Sequence, residues 1–244
     1  MAGAVSYDAR DGFADITLNS PEDDNALRPE LLDGISSAID RAEADDAVRA
    51  IALRAVGTVF SSGAALDIVA KFGMDSIAGR LIEVQRRIVA SPLPVIAVVE
   101  ATLMAGGFGL VAACDLAIAA DDVSFRFTEV INAVAPAAIS ITVLHKTNPR
   151  LIADLMLTGR EFDAEAAATA GIITRAVPRK EVDAVVAGAL QQFVEASVQG
   201  LQETKRLLNS DIHADLVAKG RERAALGAKL FNTDEAQRRL LAHQ

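Results

Sequence analysis

Pro94-Val-Ile-Ala-Val-Val99-Glu-Ala-Thr-Leu-Met-Ala-Gly106-Gly107-Phe-Gly109-Leu-Val-Ala-Ala-Cys114-Asp115-Leu-Ala-Ile-Ala-Ala120 carries three elements in one run of chain. Residues 94–99 are continuously apolar and bounded by prolines and Glu100, the pattern of a strand buried on both faces. Glycines then open a helix over residues 106–114, and residues 116–120 form a second short buried strand. Glycines at a helix N-terminus leave backbone N–H groups free beside the positive end of the helix dipole. Gly107-x-Gly109-x-x-Ala112 also fits a dinucleotide fingerprint, which would make the chain a nucleotide-dependent oxidoreductase. Against this, the glycines stand too far behind the strand, and Asp121 follows too soon to be the ribose acid.

Working outward, the first half alternates strand and helix signals. Residues 5–7 and 13–18 flank Asp11-Gly12, a favoured hairpin turn pair. Pro29 suits the first turn of a helix along which Leu31, Leu32, Ile35 and Ile39 recur at helical spacing. Residues 50–56 read as a strand that Gly57 ends. Ile77, Leu81, Val84 and Ile88 make one apolar helix face, stopped by Ser91-Pro92. Beyond Pro136 helices dominate. Asn148-Pro149 starts one, Asp163 caps a short alanine helix ended by Gly171, and residues 180–196, 201–209, 214–226 and 233–242 follow. There is no internal sequence repeat and no low-complexity linker. The expected organisation is an α/β core over residues 1–195 and a helical region over residues 196–244.

Composition narrows the function. Hydrophobic residues are 51% and charged residues 23%, so the chain folds; aromatics are only 4%, so its core is aliphatic and alanine-rich. A net charge of −9 speaks against nucleic acid and against an anionic membrane as partners, because both call for a positive face. A phosphorylated ligand held by a few local Lys or Arg is compatible with it. Cys114 alone forms no internal disulfide, and with only His145, His213 and His243 beside it no zinc cage is expected. Met1 to Asp11 lacks the pattern of an export signal and no segment is apolar for the length of a membrane span, so a cytoplasmic location is expected.

Two further constellations could carry chemistry. In Phe60-Ser-Ser-Gly-Ala64-Ala-Leu-Asp67, small residues and a glycine allow the backbone to turn an N–H outward, as an oxyanion hole requires. An ordinary strand-to-helix loop accounts for the same residues. Glu129 ends Phe125-Arg-Phe-Thr-Glu129 amid apolar Val130, Ile131, Ala133 and Val134, with Pro136 beyond. Desolvation there would disfavour the ionised form and suit the carboxyl to acid/base work near neutral pH. A solvent-facing cap glutamate is the alternative. Cys114 reads as a structural thiol, His145 as a loop histidine and Tyr7 as a partly exposed strand residue.

These three constellations occur in order with Asn25-Ala26-Leu27, Cys114-Asp115, Leu157-Thr-Gly-Arg160, Asp163-Ala-Glu-Ala166, Ala170-Gly-Ile172 and Val177-Pro178. The ordered set resembles the crotonase superfamily, also called the enoyl-CoA hydratase/isomerase family, from about residue 13 to residue 205. The resemblance implies an α/β, ClpP/crotonase-like spiral of ββα units with a helical C-terminal trimerisation region. It also implies homotrimers or homohexamers, and an acyl-CoA thioester as substrate with no separate cofactor. By matching position, the N–H groups of Ala64 and Gly106 would flank the thioester oxygen. The backbone of Ser62, Ala64 and Leu66 would hold the adenine, and Gly107 and Pro136 would belong to the substrate site.

The family's hydratases orient and deprotonate a water with two glutamates. The second matches Glu129, but the first falls at Gly109, and the glycine run expected after the proline is Ala137-Ala-Ile-Ser140. The resemblance therefore points to double-bond isomerisation by Glu129 alone in fatty-acid metabolism. An atypical hydratase and a non-catalytic acyl-CoA binding protein are the alternatives. Asp24 and Asp67 stand where the family tends to place bases near the phosphates; Arg28, Lys71, Lys205 and Arg206 are candidates to compensate. Residues 68–80, with Phe72 and Met74, would shape the acyl pocket.

Overall fold

Two sheets that draw strands in turn from the same stretch of chain form the core. The computed structural model describes residues 3–241, so Met1, the expected helix end at Ala242, and His243 lie outside the described residues. A hairpin of β1 (Val5–Arg10) and β2 (Phe13–Leu18) opens the fold. Asp11 and Gly12 turn it with φ of 52° and 84°, the positive values that a tight hairpin turn demands. β2 then lies parallel to β3 (Ala50–Ala55), which continues to β5 (Val95–Val99), β7 (Leu116–Ala120) and β10 (Arg175–Val177).

The second sheet is built from the residues that follow three of these strands. β4 (Val59–Ser61), β6 (Thr102–Met104) and β8 (Ser124–Arg126) run parallel, and β9 (Glu161–Asp163) closes the edge antiparallel to β8. After β4 the chain returns through α2 (Leu66–Phe72) and α3 (Asp75–Ala90), and after β6 through α4 (Gly107–Ala113). A ββα unit thus repeats in space although no sequence repeat marks it, because each unit fills its core with different residues. Strands of the first sheet are sandwiched, which explains why β5 is buried at every position.

Helices cover this core with the predicted faces. α1 (Pro29–Glu43) buries Leu31, Leu32, Ile35 and Ile39; α3 buries Ile77, Leu81, Val84 and Ile88. Each such side chain contributes about 1.5–3 kcal/mol when fully removed from water. α5 (Ser140–Lys146), α6 (Pro149–Thr158) and α7 (Ala164–Ala170) follow; Asn148 and Asp163 cap the last two through their side chains. His145 sits in α5, not in a loop, and its Nε2 lies 3.0 Å from Asp215 Oδ2.

The remaining helices are α8 (Val182–Glu195), α9 (Val198–Leu208), α10 (Ser210–Phe231) and α11 (Asp234–Leu241). α10 packs closely on α3, where a β-carbon on Gly220 would stand 2.7 Å from Ile82 Cγ2. Lys205, expected as a phosphate ligand, instead points into the protein. Its Nζ donates to the carbonyls of Leu93 (2.7 Å) and Ile88 (3.0 Å) and pairs with Asp115 at 2.8 Å. Asp115 also accepts from Val95 N and from Asn209 Nδ2, each at 2.8 Å. Arg206 is on the surface, paired with Glu203. Cys114 is buried and donates to the Leu110 carbonyl; burial pushes its thiol pKa up, as a structural thiol requires. No described helix is long and apolar enough to cross a membrane.

Candidate active site

Two loops meet where β4 and β6 end. Asn25 anchors the first: φ is 49°, the side chain is fully buried, Oδ1 accepts from Ser20 N, and Nδ2 donates to the carbonyls of Val56 and Val59. A short amide tolerates the left-handed backbone and satisfies three buried groups at once. Asn25 thereby fixes Leu27, which holds the 63–65 segment as a bridge: Leu27 N donates to Gly63 O and Ala65 N donates to Leu27 O. The N–H of Ala64, between these two bonds, has no acceptor among the described residues.

The second loop carries Ala105 at φ 44°, a left-handed value that costs a residue with a β-carbon about 1–3 kcal/mol and marks functional loops. The next N–H, that of Gly106, also has no acceptor among the described residues. Contact between the loops depends on Gly63 at φ 93°. A β-carbon there would stand 2.7 Å from Ala105 Cβ and 3.1 Å from Gly106 N. Two unengaged amide donors on adjoining loops are the elements of an oxyanion hole.

Glu129 reaches the same cavity from the turn after β8. Phe127, two residues earlier, stacks on Phe108 of α4 with ring centroids 3.9 Å apart, which joins this turn to the glycine helix. The Glu129 carboxyl is buried and its Oε2 has no hydrogen-bond partner. Desolvation raises its pKa to about 7, against hydrogen bonds from the N–H groups of Glu129 and Thr128 that favour the charge. The alternative of a solvent-facing cap is thereby removed.

Ala64, Gly106 and Glu129 all line one cavity of about 340 Å³, as do Ser62, Leu66 and Pro136. Its walls are mostly apolar, with Met74, Leu81, Val134, Ile139 and Phe231 among them. Phe72, expected in the acyl wall, is on the surface beneath Lys71, whose Nζ lies 4.9 Å from the ring centroid. Gly107 is a correction to the expected substrate site. It is buried behind the cavity, with Leu103 Cδ1 and Ser61 Cβ within 2.9 Å of where its β-carbon would be. Gly109 is likewise enclosed by Ile139 and Gln85, which leaves no approach for a dinucleotide to the glycine helix. At the mouth, Arg28 bonds Asp23 through Nε and Asp67 through Nη1 at 2.8 Å. Asp67 is exposed with its pKa lowered by that bond, whereas Asp24 is exposed away from the cavity lining.

Several contributors carry no motif. Gly227, Phe231 and Leu240 close the cavity from α10 and α11, and Arg239 Nη1 donates to Ile131 O in the Glu129 turn. Helical periodicity places such residues on a helix, but it does not say which cavity the helix covers. Asn25 had a local signal, an Asx residue shortly before a helix that opens on proline, which suits a turn but does not disclose its three partners.

The chain and its fold are similar to known proteins. The family model described as enoyl-CoA hydratase/isomerase matches residues 8–243. The fold superimposes on the crystal structure of an enoyl-CoA hydratase from Mycobacterium avium with a TM-score of 0.93 at 36% identity, over 100% of this chain and 96% of that one. For an enoyl-CoA hydratase/isomerase from Xanthobacter autotrophicus Py2 the TM-score is 0.88 at 26% identity, covering 100% and 94%. The mouse mitochondrial enoyl-CoA hydratase domain-containing protein 3 is 33% identical over 181 residues, 72% of this chain and 60% of that protein.

Proposed function

The chain belongs to the enoyl-CoA hydratase/isomerase family, and from that membership we propose that it binds an acyl-CoA thioester and shifts a double bond in the acyl chain, with Glu129 as the only acid/base. The N–H groups of Ala64 and Gly106 hold the thioester oxygen. Glu129, ionised, takes a proton from C2 of a 3-enoyl group. The electron pair passes through the carbonyl carbon to the oxygen, where the two donors stabilise the dienolate. Protonated Glu129 then gives the proton to C4, which leaves the double bond between C2 and C3. A pKa of about 7 serves both halves of this shuttle, since neither protonation state is strongly disfavoured at neutral pH.

The observation that carries the proposal is the unpartnered, buried Glu129 Oε2 in the cavity that Ala64 and Gly106 also line. The helical region over residues 196–244 is assigned to subunit association in a homotrimer or homohexamer. Exposed Leu207, Leu208 and Val217, at 66%, 77% and 63% accessibility, support that assignment.

The test is mass-spectrometric product analysis of a 3-enoyl-CoA incubated with the wild type and with Glu129→Gln. A 2-enoyl product made by the wild type and lost in the variant is expected. A 3-hydroxyacyl product from the wild type would establish a hydratase instead. Acyl-CoA binding without turnover on any enoyl thioester would establish a binding protein.

A further inference from the structure

Position 109 lies on the fully buried α4, and the space its side chain would enter is already full. A β-carbon on Gly109 would stand 2.7 Å from Ile139 Cγ2 and 3.1 and 3.2 Å from Cδ and Nε2 of Gln85. Neither neighbour is free to move. Gln85 is fully buried on α3; its Nε2 donates to the carbonyls of Ala138 (3.0 Å) and Leu81 (3.1 Å), and its Oε1 accepts from Thr142 Oγ1 at 2.6 Å. Thr142 Oγ1 also lies 3.1 Å from the Ile139 carbonyl. Gln85 therefore holds the turn Ala137–Ile139 through the Ala138 carbonyl and is itself held by Thr142, and breaking this buried network would strand polar atoms.

We propose that Ile139, fixed by the Gln85–Thr142 clasp, is the specificity-determining residue of the site: it fills the volume beside Gly109 and so keeps from the cavity any water that could add across the acyl double bond. This deepens the isomerase reading and rests on it. From Val134 to Ile139 the lining residues offer only apolar side chains, and the polar atoms of Gln85 behind them are engaged. A held water needs two or more polar partners, and the side chains of this wall supply none. The other charged residues of the lining, Asp23, Arg28 and Asp67, are paired with one another at the mouth, which leaves Glu129 as the one unpaired carboxyl. Gln85 is a positioning residue in this scheme, acting only through Ile139.

Removing three carbons in Ile139→Ala admits water. In that variant Glu129 takes a proton from the water, the oxygen bonds to C3, the electron pair moves to the thioester oxygen, and Glu129 returns the proton to C2. The experiment incubates 2-enoyl-CoA and 3-enoyl-CoA in oxygen-18 water with wild type, Ile139→Val, Ile139→Ala and Gln85→Leu, and measures hydroxyacyl and isomer products by mass spectrometry. The ratio of hydroxyacyl to isomer should rise at least tenfold in Ile139→Ala, rise in Gln85→Leu, and stay near wild type in Ile139→Val. An Ile139→Ala protein that is folded and keeps the wild-type ratio overturns the proposal. If Ile139→Ala does not fold, Gln85→Leu and the double variant Gly109→Ala/Ile139→Leu decide. Gly109→Ala should lower the melting temperature more in the wild type than in the Ile139→Leu background, where the Cγ2 methyl that meets the new β-carbon is gone, and equal losses overturn the steric argument. A wild type that shifts no double bond refutes the isomerase reading alone, since hydration of 2-enoyl-CoA by Ile139→Ala still reports on the plug.

Discussion

Raising the pH from about 5 to about 9 forces a charge onto Glu129 inside the folded protein, at a cost that can be worked out. Burial lifts its pKa from 4.5 to about 7. At about 1.4 kcal/mol per pH unit, that displacement corresponds to about 3 kcal/mol. Between pH 4.5 and about 7 the folded state keeps a proton that the unfolded chain has released. The stabilisation is thus fully present below about 4.5, declines across that window, and is gone above about 7. Glu129→Gln has no such titration, while every other titrating group is common to both proteins. The stability of the wild type relative to the variant should therefore fall by about 3 kcal/mol across the window and then level off. Guanidinium unfolding of both proteins at a series of pH values measures this directly. In the same series, kcat/KM of the wild type should rise with pH through a midpoint of about 7, because the proton acceptor must be ionised. A stability difference that is flat with pH, or a midpoint at 4.5, would refute both the desolvation and the role assigned to this carboxyl.

Two further perturbations probe the frame around it. Gly63→Ala introduces a β-carbon at φ 93° that collides with Ala105 and crowds Gly106 N, so the two amide donors are pushed apart. Loss of about 100-fold in kcat/KM is expected by steady-state kinetics, with calorimetric acyl-CoA affinity changed far less. Lys205→Met leaves Asp115 partly buried without its cation and should cost about 3–5 kcal/mol in guanidinium unfolding. A variant of unchanged stability with a raised KM would instead return Lys205 to the phosphates.

Local pattern was enough for the elements with strong periodicity or punctuation. The strands β5 and β7 and the glycine helix of the 94–120 run, the Asp11-Gly12 turn and the capped helices α6 and α7 lie within a residue or two of where pattern places them, while β1 runs three residues beyond its expected end. The second sheet was not legible, because β4, β6, β8 and β9 are three residues each and too short to show an alternation. Lys205 misleads for a different reason. Lysine is so seldom buried that a helical lysine reads as solvent-facing, and its partner Asp115 lies far off in sequence. Ala64, Gly106 and Glu129 could be chosen as candidates from motif order, yet their meeting in one cavity depends on Asn25, Gly63 and the Phe108–Phe127 stack. Gln85 was invisible: a glutamine on an amphipathic helix looks like any polar position until its three partners, on α3, α5 and the 137–139 turn, are in place.

The Asp115 linkage also sets an order of assembly. Asp115 and Asn209 are 94 positions apart, so they leave the ribosome at very different times. Until α9 is synthesised, Asp115 lacks its cation and the carbonyls of Ile88 and Leu93 lack their donor, which leaves polar groups of the central sheet unsatisfied. The roof of the cavity comes later still, from Phe231 and Leu240. A nascent chain therefore has the two loops with free amide donors before it has a closed chamber around them.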